Sequence, residues 1–313
     1  MAKTTEVPSS STAPAFTPWA GADFGELDAF LADTAGESFA MAEGGQRVHE
    51  WYRTDPSHTQ DVASAQKSVL SLLVGRAIAD GAFALDTTID DVLGPKWTPT
   101  GQSAGITVEH LLTMTSGLDD NLTVVAEPGK SWVYSAAFEQ LFEVITSTTG
   151  RELNDVADEW LFAPAGAASA EFHERRVARL AGIGLRATAR DLVAIGQSVI
   201  DRTIPGLGGD WLDASFTPGT MNHAYGYLWW LNGQITYRLP RDEQAEQTGP
   251  LIPAAPMDTV AALGKDDQKL YLSDDLGLVV ARQGARADNE SRAALSGFDN
   301  DLWTVLLRLR GHG

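Results

Sequence analysis

The sequence predicts an α+β fold: an antiparallel sheet flanked by terminal helices, with a mainly helical domain inserted. Three observations predict it. Apolar, strand-like segments gather near both ends of the chain. Helix-period segments and loops fill the stretch from about 85 to 235. The chain has 313 residues and is 43% hydrophobic, enough for one large core or two interlocked ones.

Residues 1–20 open the chain. They are Ser/Thr/Pro-rich and lack an apolar core after positive charges, so they read as a disordered lead-in rather than a secretory leader. Asp23 to Ala35 reads as an amphipathic helix with Phe24, Leu27, Phe30 and Leu31 on one side. Ser38 to Tyr52 reads as two strands around the turn Glu43-Gly44-Gly45. Ser64 to Asp80 is a strong helix, apolar on most sides and stopped at Gly81. Further helices are expected after Thr107, over Ala136 to Thr148 and over Asp191 to Ile200. The run Tyr225 to Leu231 is expected to be a buried strand. Thr259 to Leu263, Lys269 to Leu272 and Leu276 to Arg282 read as antiparallel strands, and Ser291 to Arg310 as a closing helix. These boundaries predict a discontinuous sheet domain, 21–62 with 240–313, around a mainly helical domain, 63–239.

Composition narrows the function. Acidic residues outnumber basic ones 42 to 23, a net charge of −19. A nucleic-acid backbone needs Lys and Arg to replace its counterions, so nucleic acid is excluded as a partner. The one dense basic stretch, Glu174 to Arg179, reads as a solvated face. Acidity also disfavours an anionic membrane surface, and no apolar run approaches the roughly 20 residues of a span. The expected location is cytoplasmic. There is no cysteine, so disulfides and thiolate metal sites are excluded. The histidines are scattered with no His-Glu-x-x-His pair, so no metal and no cofactor is expected. No Gly-x-Ser-x-Gly elbow is present.

The chemistry starts from a lysine. Only six occur, and Lys67 is followed by Ser68-Val69-Leu70-Ser71-Leu72-Leu73-Val74. A buried ammonium is costly unless paired, so a lysine there needs a reason. Ser64 lies three residues earlier, on the same helix face. It also falls in the predicted first turn, where free backbone N–H groups favour a developing oxyanion. A serine nucleophile needs that set: a proton acceptor and donors for the tetrahedral intermediate. Serine is equally a common helix N-cap. Acting as a base at neutral pH asks Lys67 to drop by about three pH units, roughly 4 kcal/mol. Burial supplies part of that drop, and Lys265 is the candidate second cation.

The motif gains weight from its surroundings. In order along the chain come Ser64-Ala65-Gln66-Lys67-Ser68, Ile106-Thr107-Val108-Glu109-His110-Leu111-Leu112-Thr113-Met114-Thr115-Ser116-Gly117-Leu118, Pro128-Gly129 before Tyr134-Ser135, and Leu185 to Leu192. Tyr225-Gly226-Tyr227 before Trp229-Trp230 completes the series. This pattern resembles the class C β-lactamase-related, penicillin-recognising serine hydrolases, from about residue 20 to the C-terminus. Within them it is most similar to the nylon-oligomer (aminohexanoate-dimer) hydrolases and family VIII carboxylesterases. The resemblance implies a β-lactamase/transpeptidase-like fold with the site between sheet and helices. It implies Ser64 as the acylated nucleophile, Lys67 as base and Tyr134 as proton relay. The reference pKa values of both groups, about 10, leave open which of the two takes the Ser64 proton, and the coupled pair can titrate as one unit. It also places Lys265, Asp267 and Gln268 in the substrate-binding element, with the Gln268 amide as second oxyanion donor.

Two departures shape the expected substrate. The family's Tyr-x-Asn is Tyr134-Ser135-Ala136, and its Lys-Thr-Gly is Lys265-Asp266-Asp267. Both argue against β-lactams, and the carboxylates against an anionic substrate. The expected partner is a small ester or linear amide, neutral or amine-bearing; a homodimer is compatible with the sequence. The rival readings are a penicillin-binding sensor that acylates without turnover, and a binding protein in which Ser64 is only a cap.

Overall fold

The computed structural model describes Trp19 and residues 21–177, 180–240, 242–287 and 295–311, except for the side chains of residues 176, 177, 180 and 181. Strands β1 (Gly36–Glu43) and β2 (Gln46–Tyr52) form the first hairpin. Then come β3 (Gln60–Asp61), β4 (Glu171–Val177), β5 (Leu180–Ala187), β6 (Trp230–Leu231), β7 (Thr236–Leu239) and β8 (Asp242–Thr248). The last three are β9 (Val260–Leu263), β10 (Lys269–Ser273) and β11 (Leu278–Gly284). The main sheet has six strands in the order β2-β1-β11-β10-β9-β6. All of its pairings are antiparallel, so the ends of the chain meet where β1 lies against β11.

Both faces of this sheet are covered, and every residue of β10 and β11 is buried. On one face lies the helix Ala189–Ile200, close enough that a Cβ on Gly196 would sit 2.7 Å from Leu272 and Val279 side-chain carbons. On the other lie the helix Gly297–Leu309 and, against that helix and β1, α1 (Gly25–Asp33). Trp303 packs edge-on to Tyr271 there, ring centres 5.7 Å apart. The expected sheet built from both termini is therefore present.

The inserted part differs from the sequence expectation. It holds a second sheet of three strands, β3-β5-β4, where helices and loops were expected. β4 reads Glu-Phe-His-Glu-Arg-Arg-Val and shows no apolar alternation, whereas β5 alternates Ala181, Ile183, Leu185 and Ala187 with Gly182, Gly184 and Arg186, glycines that weaken the strand signal. The aromatic run contributes only Trp230 and Leu231 as strand, and the helix Ala189–Ile200 packs on the main sheet. The expected boundary at 239 is thus crossed twice. Residues 1–18 and 20 of the expected lead-in lie outside the described residues. Trp19 departs from that expectation. It is fully buried, its indole N–H donates to the Leu306 carbonyl at 3.3 Å, and Arg310 stacks over its ring. The closing helix is seen from Gly297, with residues 288–294 outside the described set. Among the described residues no helix is long and apolar enough to cross a membrane.

A buried ionic cluster ties the last helix to the sheet. Lys269 lies 2.9 Å from Asp299 and 3.3 Å from Asp267, all three buried. Tyr271 donates to the other Asp299 oxygen at 2.6 Å. Removing one member of such a cluster leaves an uncompensated charge in a low-dielectric interior. Asp299→Ala is therefore expected to destabilise the fold by about 3–5 kcal/mol in urea denaturation. A loss under about 1 kcal/mol would show that the cluster relaxes without cost.

Candidate active site

α2 (Gln66–Ala79) carries the site at its first turn. Eleven of its fourteen residues are buried, as the apolar run after Lys67 requires. A Cβ on Gly75 would collide with the Trp211 indole, whose N–H donates to the Ser71 carbonyl at 3.1 Å, so this helix is locked in place sideways. The chain enters through β3 and the short 3₁₀ turn Ala63–Ala65, with Ala63 in the left-handed region at φ 50°. A non-glycine residue there costs about 1 kcal/mol or more and must be held. The Asp61 carboxylate holds it, accepting the Ala63 N–H at 2.7 Å. Ser64 follows and is partly exposed, whereas Lys67 is buried.

The Lys67 ammonium nitrogen lies 2.9 Å from the Ser64 hydroxyl. It also sits over the rings of Phe138 (4.2 Å) and Tyr134 (4.8 Å). Burial is the main cause that brings Lys67 down to about 7, and the positive charge of Arg175 adds to it. Glu139 and Asp120 pull the other way. Tyr134 approaches the Ser64 hydroxyl, yet burial pushes the phenol up to about 12. The two partners of Ser64 are thus driven apart: one sheds its proton near neutrality, the other keeps it.

Tyr134 is fixed by an aromatic wall. Trp132, Tyr225 and Trp230 surround it at ring distances of 5.7 to 6.0 Å, and Ser135 caps the next 3₁₀ turn through the Ala137 N–H. Ala136 brings no amide side chain to the site, and its N–H donates to Asp120 at 2.8 Å. A cavity of about 390 Å³ lies alongside, lined by His110, Thr115, Met221, Tyr225 and Tyr227 but not by Ser64 or Lys67. His110 caps its own helix through Thr107.

The end of β9 abuts the turn that carries Ser64: a Cβ on Gly264 would lie 2.4 Å from the Val62 carbonyl. This brings the turn Lys265–Asp267 beside the turn Ala63–Ala65. Among the described residues the backbone N–H groups of Ser64 and Gln268 have no hydrogen-bond acceptor. The other expected binding residues are placed differently. Lys265 has a side chain 65% exposed, 3.9 Å from Asp266, so it is not the second cation beside Lys67. Asp267 turns away into the protein, where its carboxylate accepts from Ser296 and the Ala287 N–H and lies against Lys269. Burial would raise its pKa, but the Lys269 charge and these donors hold it below the usual carboxylate value. The Gln268 side chain likewise points inward, donating to the Gly284 carbonyl at 2.6 Å. Only the backbone of Gln268 faces the question of binding.

Three charged residues at the site were missed in the sequence: Arg175, Glu139 and Asp120. The stretch containing Arg175 reads as a solvated face because β4 was not foreseen; in the fold its guanidinium turns inward to Asp61 at 3.3 Å. Among the described residues no cluster of three or more His, Asp or Glu side chains is arranged to hold a metal ion.

With fold and site in view, comparison with known proteins gives the family. The sequence profile of the beta-lactamase family matches residues 26–255, and the chain belongs to that family. Esterase EstB of Burkholderia gladioli is 30% identical over a stretch covering 34% of this chain and 36% of that protein, so the chain spans about a third of the length of the curated relative it matches. Among solved structures, a protein from Bacteroides dorei assigned as a beta-lactamase superposes with a TM-score of 0.71 at 16% identity, covering 93% of this chain and 99% of that one. A protein from Bacillus anthracis assigned as a 6-aminohexanoate-dimer hydrolase gives 0.68 at 18% identity, covering 91% and 81%. These likenesses share the fold expected from the sequence.

The lowered Lys67 pKa also bears on stability. Its folded-state value, about 7, lies below the ordinary 10.5, so the unfolded chain binds the proton more tightly. Stability contributed by this group is then lowest at and below pH 7 and rises with pH up to about 10.5. Relative to Lys67→Met, the wild-type protein is expected to gain up to roughly 4–5 kcal/mol across that window in urea denaturation. A flat difference between the two proteins would mean that the amine is not desolvated.

Proposed function

We propose that the chain is a serine hydrolase that cleaves an ester or linear amide through an acyl-enzyme at Ser64. The observation that carries this is the 2.9 Å contact between the Ser64 hydroxyl and a buried Lys67 amine poised near pH 7. About half of such amines are neutral at that pH, so Lys67 is the base that takes the Ser64 proton as the oxygen attacks. Tyr134, still protonated up to about pH 12, cannot be the resting base; it is the acid that passes a proton to the leaving group. The free N–H groups of Ser64 and Gln268 are the donors for the tetrahedral oxyanion.

Substrate class follows from what the site lacks. Ala136 has no side-chain amide to hold the acyl amide of a β-lactam, and Lys265 is exposed with Asp266 beside it. A small, uncharged acyl ester or linear amide fits such a site better than an anionic lactam. The esterase and aminohexanoate-dimer hydrolase assignments among the relatives point the same way.

The test is steady-state hydrolysis of short-chain nitrophenyl esters and linear amides, with mass spectrometry of the trapped adduct. Ser64→Ala is expected to lose on the order of 10³-fold or more in turnover. A burst of one equivalent that then stops would favour the acyl acceptor over the hydrolase. A Ser64→Ala variant with near-wild-type rates would remove the hypothesis.

The pH profile is a second test. Lys67 must be deprotonated to act, so kcat/KM is expected to rise with pH through an apparent value near 7 and stay level well into the alkaline range. A profile that falls as pH rises through 7 would rule out a lysine base.

A further inference from the structure

One face of the β4–β5 pair is cleared for charged groups. Register places Arg175 opposite Gly182 and His173 opposite Gly184. A Cβ on Gly182 would lie 2.8 Å from both Glu139 carboxylate oxygens. A Cβ on Gly184 would lie 2.6 Å from Asp61 Oδ2 and from His173 Nε2. The two glycines therefore let Asp61 and Glu139 settle directly on the strands, on either side of Arg175. Asp61 is engaged on both oxygens: Oδ1 takes the Ala63 N–H at 2.7 Å and Arg175 Nη1 at 3.3 Å, while Oδ2 faces His173 at 3.0 Å. Arg175 Nε is buried and, among the described residues, has no hydrogen-bond acceptor, so one donor of the guanidinium is left unpaired.

We propose that Arg175 and Asp61 form a positioning pair that holds the left-handed Ala63 turn in front of Ser64 and presents a fixed positive charge to Lys67. Asp61 does the first task through the Ala63 N–H, and Arg175 keeps that carboxylate in place. Arg175 does the second from β4, against Glu139 from the 3₁₀ turn Ala136–Glu139 and Asp120 from the preceding loop. Ser64 and the rings of Tyr134 and Phe138 complete the surroundings of the amine. Removing the cation lets Lys67 hold its proton more tightly; removing the Glu139 charge makes it release the proton sooner. Burial pushes the Glu139 carboxyl itself up, with Arg175 and Lys67 opposing that rise, consistent with three charges brought close together in a partly buried site.

This inference rests on the hydrolase reading, and its experiment separates the two. The kcat/KM profile of a nitrophenyl ester is measured against pH for wild type, Arg175→Gln, Arg175→Lys and Glu139→Gln. The rate of Ser64 labelling by a fluorophosphonate is followed in parallel, as a single-hit readout without turnover. Arg175→Gln is expected to move the acid limb up by roughly 0.5–1 pH unit, Arg175→Lys to restore most of it, and Glu139→Gln to move it down. At pH 7, Arg175→Gln is expected to lose about 3- to 10-fold in kcat/KM, with part of the loss recovered at pH 9. A merely structural role would lower rates at every pH without moving the limbs in opposite directions. Unmoved limbs, or both variants shifting the same way, would overturn the inference while Ser64→Ala still defines the nucleophile. If Arg175→Gln does not fold, the downward shift in Glu139→Gln and the wild-type-like limb of Arg175→Lys must both be seen. Activity surviving in Ser64→Ala removes the hydrolase reading and this inference with it.

Discussion

A lysine amine held 2.9 Å from a serine hydroxyl, at the start of a helix most of whose residues are buried, organises the rest of the structure. In water the lysine would stay protonated: an ammonium can donate to the hydroxyl oxygen but has no lone pair with which to take the hydroxyl proton. Burial changes the equilibrium: desolvation disfavours the ammonium, and the neutral amine becomes available near pH 7. The fold must then supply what burial alone does not. It must keep Ser64 at the surface one turn away, keep water from the amine, and place charges of both signs at fixed distances. Phe138 and Tyr134 do the excluding, and the second sheet supplies the charge.

The two ends of the site are held by different means. At Ser64, the turn is strained at Ala63 and fastened by a carboxylate. At the opposite wall, Asp266 and Asp267 both adopt positive φ, 58° and 57°, in the turn before Gln268. The fully buried Arg282 donates to both of their carbonyls, while the Asp267 carboxylate is fastened to Ser296 and Lys269. The Asp267 carboxylate, which reads in the sequence as a substrate contact, is thus part of the framework that sets a backbone N–H, while the Asp266 carboxylate stays exposed. Two aspartates in the left-handed region form this turn, and the buried cluster keeps it in place.

Tyr134 and Lys67 illustrate how one environment gives two roles. The same desolvation that lowers an amine raises a phenol, so a shared dry pocket separates their protonation states instead of merging them. In the proposed mechanism that separation gives each group one direction of proton transfer at Ser64.

The sequence by itself determined the parts that depend on local pattern. Hydrophobic periodicity marked the helix behind Lys67, the hairpin of β1 and β2 and the three C-terminal strands, and i to i+3 spacing put Ser64 beside Lys67. It did not show β4, because a strand packed against charged groups carries charged residues in place of apolar alternation, nor β5, whose alternation is masked by Gly182 and Gly184. Nor could it tell which lysine or arginine would reach the site. Lys265 is nearer to the binding element in sequence but points to solvent, while Arg175, more than a hundred residues from Ser64, is brought in by the second sheet. The direction of Asp267 was equally hidden, since one residue's change of face depends on the backbone dihedrals of its turn. Residue type and spacing fix which chemistry is available; long-range strand pairing decides which charges face it, because electrostatic influence follows distance in space and not along the chain.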